Sequence, residues 1–150
     1  MARLIDPAYK GLLPLSLTAA IAGLILGPIP SLACYLLIGK VFYPLFIAAP
    51  LLIYLFNSLL RGCRDIRAII VTAVFSLAAA YLTLLYCESA RYLLAVGESL
   101  YKIPSHTVMS LNRFDLVTKT ASACVYPLLF TALDVVIASQ LYRNPAVLKK

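Results

Sequence analysis

The stretch RGCRDIRAIIVTAVFSLAAAYLTLLYCE, residues Arg61 to Glu88, decides how this chain is to be read. It opens on three arginines, Arg61, Arg64 and Arg67, and then carries no charge from Ala68 to Cys87. An uncharged run of about 20 residues matches a hydrocarbon layer roughly 30 Å thick at 1.5 Å of helix rise per residue. Lysine and arginine in short loops stay on the cytoplasmic side, so the arginine turn is expected inside and Glu88 outside.

Working outward, the same pattern recurs. No charged residue occurs from Leu12 to Gly39 or from Val41 to Leu60, and Thr120 to Tyr142 holds a single one, Asp134. Of 150 residues, 63% are hydrophobic and 13% charged, against about 25% charged in an ordinary soluble domain. That is too little polar surface to cover a water-soluble fold of this length. The expected class is an all-α membrane protein: one integral domain over residues 1–150, a bundle of four transmembrane helices. The spans are expected at roughly 12–30, 41–60, 67–87 and 119–142, with one longer outer loop at 88–118. The first run follows Arg3 and Lys10 and ends near Ser31-Leu32-Ala33-Cys34, the outline of a lipoprotein cleavage site. It is read as a retained span.

With the N-terminus inside, the inner set is Arg3, Lys10, Arg61, Arg64, Arg67, Arg143, Lys149 and Lys150. The outer set is Lys40, Arg91, Lys102, Arg113 and Lys119, mostly in one long loop where the bias counts less. Both termini are therefore expected in the cytoplasm. The inside bias and the lack of glycosylation sequons in the outer loop point to a bacterial inner membrane. The net charge of +7 reads as this orientation signal. Basic residues flank apolar spans and form no stripe with interleaved aromatics, so no nucleic-acid partner is expected. There is no tryptophan, and the 10 tyrosines fall largely at span ends, where an amphipathic ring gains most.

Local signals place the ends. Asp6-Pro7 reads as a cap with proline at the first helical position, and Asn112 with Asp115 as a lead-in to the fourth span. Gly27-Pro28-Ile29-Pro30 is expected to end or kink the first helix, leaving Ser31 to Gly39 as an outer connection or a tilted start to the second. Pro44 and Pro50 are expected to kink the second span, and Pro127 the fourth. The outer loop reads as a continuation of the third helix, with Glu98 and Lys102 at i,i+4 and Glu88 and Arg91 at i,i+3. This part is expected to lie along the membrane surface and to end at Ile103-Pro104-Ser105.

Catalytic patterns are few. No Cys-x-x-Cys, phosphate loop or paired carboxylates occur, and His106 stands away from cysteines and acidic clusters. No catalytic residue, metal site or cofactor is therefore assigned. Cys63 is expected reduced in the cytoplasmic turn. Cys87 and Cys124 flank the outer loop and would be the pair to bridge in an oxidising compartment.

Asp134 is the residue to explain, since an ionisable group inside the hydrocarbon costs about 3 kcal/mol or more and turns to the bundle interior or a cavity. Thr120, Cys124, Pro127, Thr131 and Asp134 are spaced 4, 3, 4 and 3 and share one helical face. This polar face serves either as a proton or cation path or as a hydrogen-bonded packing surface. Ala19, Gly23 and Gly27 form a small-xxx-small face on the first span, and Thr72, Ser76, Ala79 and Thr83 one on the third, which let helices approach closely.

The expected function is a non-enzymatic subunit or stabilising component of an oligomeric membrane complex, with the bilayer and other subunits, or itself, as partners. The alternatives are a small transporter or channel component using Asp134, and a membrane enzyme on a lipid-soluble substrate with Glu88, Arg91, His106 and Arg113 as candidates.

Overall fold

Helix termini explain most of the architecture. In the computed structural model, which describes residues 13–63, 65–111 and 125–143, α1 spans Leu13–Leu26 and α2 Pro28–Ile38. A 3-10 segment, Tyr43–Ile47, leads into α3, Ala48–Leu59. Then come α4, Ile66–Val96, a 3-10 turn at Leu100–Lys102, α5, Ile103–Leu111, and α6, Val125–Arg143. The chain is all-helical, with no strand among the described residues.

Two stretches are long and apolar enough to cross a membrane: Leu13–Ile38, 26 residues of mean hydropathy 2.1, and Ile66–Val96, 31 residues of mean hydropathy 2.3. The apolar stretch Tyr43–Leu59 is shorter, and α6 has 19 residues.

Prolines start helices here more than they bend them. Ser31 to Gly39 forms no outer connection. As expected, α1 ends just before Gly27-Pro28, but Gly27 keeps right-handed helical angles (φ −57°, ψ −39°) and its N–H reaches the Gly23 carbonyl at 2.8 Å, so α2 follows α1 directly. The missing N–H groups of Pro28 and Pro30 interrupt the ladder there without reversing the chain. Pro44 stands at the start of the 3-10 segment. Pro50 lies in the first turn of α3, where backbone N–H groups have no helical partner to lose; Pro127 lies in α6, and the residues before Val125 are outside those described. Pro104 likewise opens α5, so the expectation that it ends a helix is reversed. What ends α4 is Gly97, at φ 73°, in a Schellman arrangement: Glu98 N–H to Leu93 O at 2.9 Å and Gly97 N–H to Leu94 O at 3.3 Å.

The helices turn their large residues outward. On α1, Leu13, Leu17, Ile21 and Ile25 are exposed at a four-residue spacing, while Ser16, Ala19, Ala20 and Gly23 are buried. On α4, Ile66, Ile70 and Val74 face out and Ala68, Thr72, Ser76, Ala79 and Thr83 face in. On α6, Leu129, Leu133, Val136 and Ile137 are exposed, and Thr131, Asp134 and Ala138 are buried. α4 is the spine, packed against α1, α2, α3, α5 and α6. Alanine, serine and threonine on its inward face let the neighbours come close.

Candidate functional site

The interior is a seam of small and polar side chains along α4, and it begins where α3 turns into α4. Here α3 ends with Arg61 in the left-handed region (φ 54°), its N–H on Ser58 O at 3.3 Å, and Gly62 N–H on Asn57 O at 2.9 Å. Glycine is the usual occupant of that left-handed position, yet it stands one residue later. The reason is steric: a Cβ on Gly62 would collide with Asn57 Oδ1 and come within 2.5 Å of Ser16 Oγ. The tight approach lets the Cys63 N–H donate to Ser16 Oγ at 2.7 Å, while Asn57 Nδ2 donates to Cys63 O at 2.7 Å. Ser16, Asn57 and Cys63 are all buried, so this lock ties the start of α1 to the turn. Sequence reading missed it. Ser16 lies three residues before Ala19, in phase with the small-residue face, and Asn57 is a lone amide in an apolar run.

The three topology-setting arginines are placed as follows. Arg61 is exposed. Arg67 pairs with Asp65 (Nε to Oδ2, 2.8 Å), and Asp65 also caps α4 by accepting the Arg67 N–H at 3.1 Å. Arg64 lies outside the described residues.

Ala19, Gly23 and Gly27 line the contact between α1 and α3. A Cβ on Gly23 would strike Ile53 Cγ1, and one on Gly27 would lie 2.7 Å from Ala49 Cβ and 3.0 Å from Ala49 Cα. This face is turned inward, and so are Thr131 and Asp134, the described buried members of the polar face on α6.

Further along, Thr72 and Ser76 are buried on α4, and Thr131 and Asp134 on α6. α6 packs against α4, α3 and the 3-10 segment, so its buried face is turned to them. Asp134 is 6% exposed, and its Oδ2 has no hydrogen-bond partner; Ser76 Oγ and Ser31 Oγ are also without one. Thr120 and Cys124, the other members of the expected polar face, lie outside the described residues. Cys87 is a free, buried thiol.

The opposite end is closed by α5. Ser89 and Thr107 hydroxyls hydrogen-bond at 2.9 Å, Ile103 packs on Ala90 and Leu93, and the Tyr92 and His106 rings stack at 4.8 Å. Glu88 and Arg91 lie 3.8 Å apart, and Lys102 Nζ reaches Glu98 Oε2 at 2.9 Å. That hydrogen bond holds the Lys102 ammonium above its usual range. The outer-loop residues considered for catalysis are thus engaged in ion pairs and stacking, and Arg113 lies outside the described residues. No group of three or more histidine, cysteine or acidic residues that could hold a metal occurs among the described residues. No protein family, curated protein or solved structure matches this chain.

Proposed function

We propose that this chain is a four-span integral membrane protein, with both termini in the cytoplasm of a bacterial cell, that serves as a non-enzymatic subunit or stabilising component of an oligomeric membrane complex. The observation that carries the reading is the inverted distribution of side chains. Large apolar residues such as Ile25, 61% exposed, and Leu59, 68% exposed, cover the outside, while alanine, glycine, serine, threonine and asparagine, with a few larger residues such as Ile53, Leu85 and Leu93, make up the inside. In water such a surface would aggregate; in lipid it is the natural solvent face, and small interior residues are what helix packing uses there.

Lengths agree with four spans. The Tyr43–Leu59 stretch, five residues of 3-10 and 12 of α-helix, reaches about 28 Å. The 19 residues of α6 also reach about 28 Å. The Cys63 N–H bond to Ser16 puts the start of α1 and the arginine turn at one end, in keeping with a cytoplasmic N-terminus. The Ser16 hydroxyl and the Ser89–Thr107 pair bond between elements, which favours a role by contact over chemistry.

The test is gentle detergent extraction of the chain from its native membrane, then sizing and identification of what travels with the 16.4 kDa protomer. Stoichiometric company is expected. A chain that runs strictly as a monomer would defeat the complex-subunit reading.

A second reading has its own observation: the buried Asp134 carboxyl with a partnerless oxygen, on α6, which packs against α4, the 3-10 segment and α3. In that reading Asp134 takes up a proton or cation within the bundle, in a small transporter or channel component. Reconstituted flux that survives Asp134→Asn unchanged would exclude it.

A further inference from the structure

We infer that the hairpin formed by the end of α4 and α5 is an interfacial anchor, seated at the boundary between headgroups and acyl chains of the outer leaflet, with lipid as its occupant. The inference rests on the membrane reading and goes further by assigning a surface and its partner.

Three observations carry it. The first is level. Between Arg67 and Glu88, α4 has no charge, and these residues account for the hydrocarbon thickness; the helix then continues to Val96, roughly 13 Å more. The Schellman turn at Gly97 reverses the chain, and α5 runs back beside α4. Ile103 sits against Ala90 and Leu93, and Thr107 is bonded to Ser89. Val108 and Met109 follow Thr107 and, at about 1.5 Å per residue, return to the level of Glu88 and Cys87, the outer end of the charge-free run. A helix returning to that level reaches the acyl boundary.

The second is the surface. Tyr101 is 79% exposed, Val108 65% and Met109 73%, with Tyr92, Leu94 and Val96 also exposed on α4. Tyrosines beside aliphatic residues are the composition of the bilayer interface.

The third is charge. The hairpin's ionic groups neutralise one another, Glu88 with Arg91 and Glu98 with Lys102. A protein partner chosen by charge finds no net field here, and neither does an anionic lipid; the face suits a zwitterionic interface. Two hydrogen-bonded hydroxyls and the Tyr92–His106 stack hold α5 to α4, so the face is presented as one unit.

The chain has no tryptophan, so single-tryptophan variants report without background. Met109→Trp and Tyr101→Trp probe the hairpin, and Val74→Trp, exposed in the first third of α4 and inside its charge-free run, probes the span. Each is reconstituted in phosphatidylcholine vesicles with bromines placed either shallow or deep on the acyl chains. The expected result is strong loss of Val74→Trp emission with deep bromines. Met109→Trp should lose more emission with shallow than with deep bromines, and Tyr101→Trp, nearer the tip, should lose less than Met109→Trp, both independently of added salt. If Val74→Trp is not quenched, the membrane reading itself fails. If Val74→Trp is quenched while both hairpin reporters emit as in water, the anchor is overturned. Hairpin reporters that escape bromine yet emit as buried groups, with a dependence on protein-to-lipid ratio, would mean that a second copy covers the face, which also overturns the lipid assignment.

Discussion

Gly27→Ala tests the packing most sharply, because two effects of opposite sign compete and the geometry says which wins. Gly27 already has helical angles, so alanine there gains about 1 kcal/mol of intrinsic helix preference. Against this, the new Cβ would stand 2.7 Å from Ala49 Cβ, 3.0 Å from Ala49 Cα and 2.6 Å from the Gly23 carbonyl oxygen. Carbon atoms pack best at roughly 3.5–4.0 Å, so α3 must retreat by about 1 Å. No rotamer change helps, since the obstacles are backbone atoms and a Cβ. Overpacking of this kind costs about 1–3 kcal/mol, and an obstacle that cannot rotate away belongs at the upper end. The net expectation is a loss of about 2 kcal/mol, read as unfolding at lower SDS fraction in mixed micelles followed by circular dichroism. Ala49→Gly in the same chain removes one obstacle, so the double variant should recover part of the loss, a coupling of about 1 kcal/mol. A Gly27→Ala protein as stable as the parent or more so would show that α1 and α3 do not approach as described.

Ser16→Ala leaves the buried Cys63 N–H without its acceptor, a loss of about 1–3 kcal/mol in the same SDS titration; an unchanged midpoint would refute the lock. Gly97→Ala meets no atom, so its cost is purely that of φ 73°, about 1–2 kcal/mol. Amide exchange should quicken at Gly97 and Glu98 and stay unchanged at the α3–α4 turn. For Lys102 the sign is that of a group whose folded pKa is raised by its hydrogen bond to Glu98. Its stabilising effect is present below the lysine range and lost as pH rises through it. Both partners are exposed, so stability should stay flat from about pH 6 to 9, and a midpoint that moves there would point to a different titrating group.

Reading the chain residue by residue shows where local pattern stops informing. The charge-free runs foretold helices over α1, α3, α4 and α6, and the run from Ala68 to Cys87 lies wholly inside α4. Gly27-Pro28 did mark the end of α1, but Pro50 and Pro104 misled, because one residue type both breaks a helix interior and begins a helix; its position relative to the cap decides, and no cap was visible at either. The small-residue face at Ala19, Gly23 and Gly27 was legible as a close-approach surface, but not that Ile53 and Ala49 fill it. Asp134 was legible as exceptional, and which helices it faces was not.

The sequence by itself determined where apolar runs begin and end, and which residues along them are small or polar. Tertiary structure alone decided the pairings. Ser16 and Cys63, 47 residues apart, meet because Gly62 permits contact with Asn57, and α5 folds back on α4 because Gly97 takes a left-handed turn. The physical reason is that outward-facing and interior positions along these helices are alike almost uncharged. Periodicity therefore marks a helix and its small-residue face, while the partner of each face depends on close steric fit between segments distant in the chain.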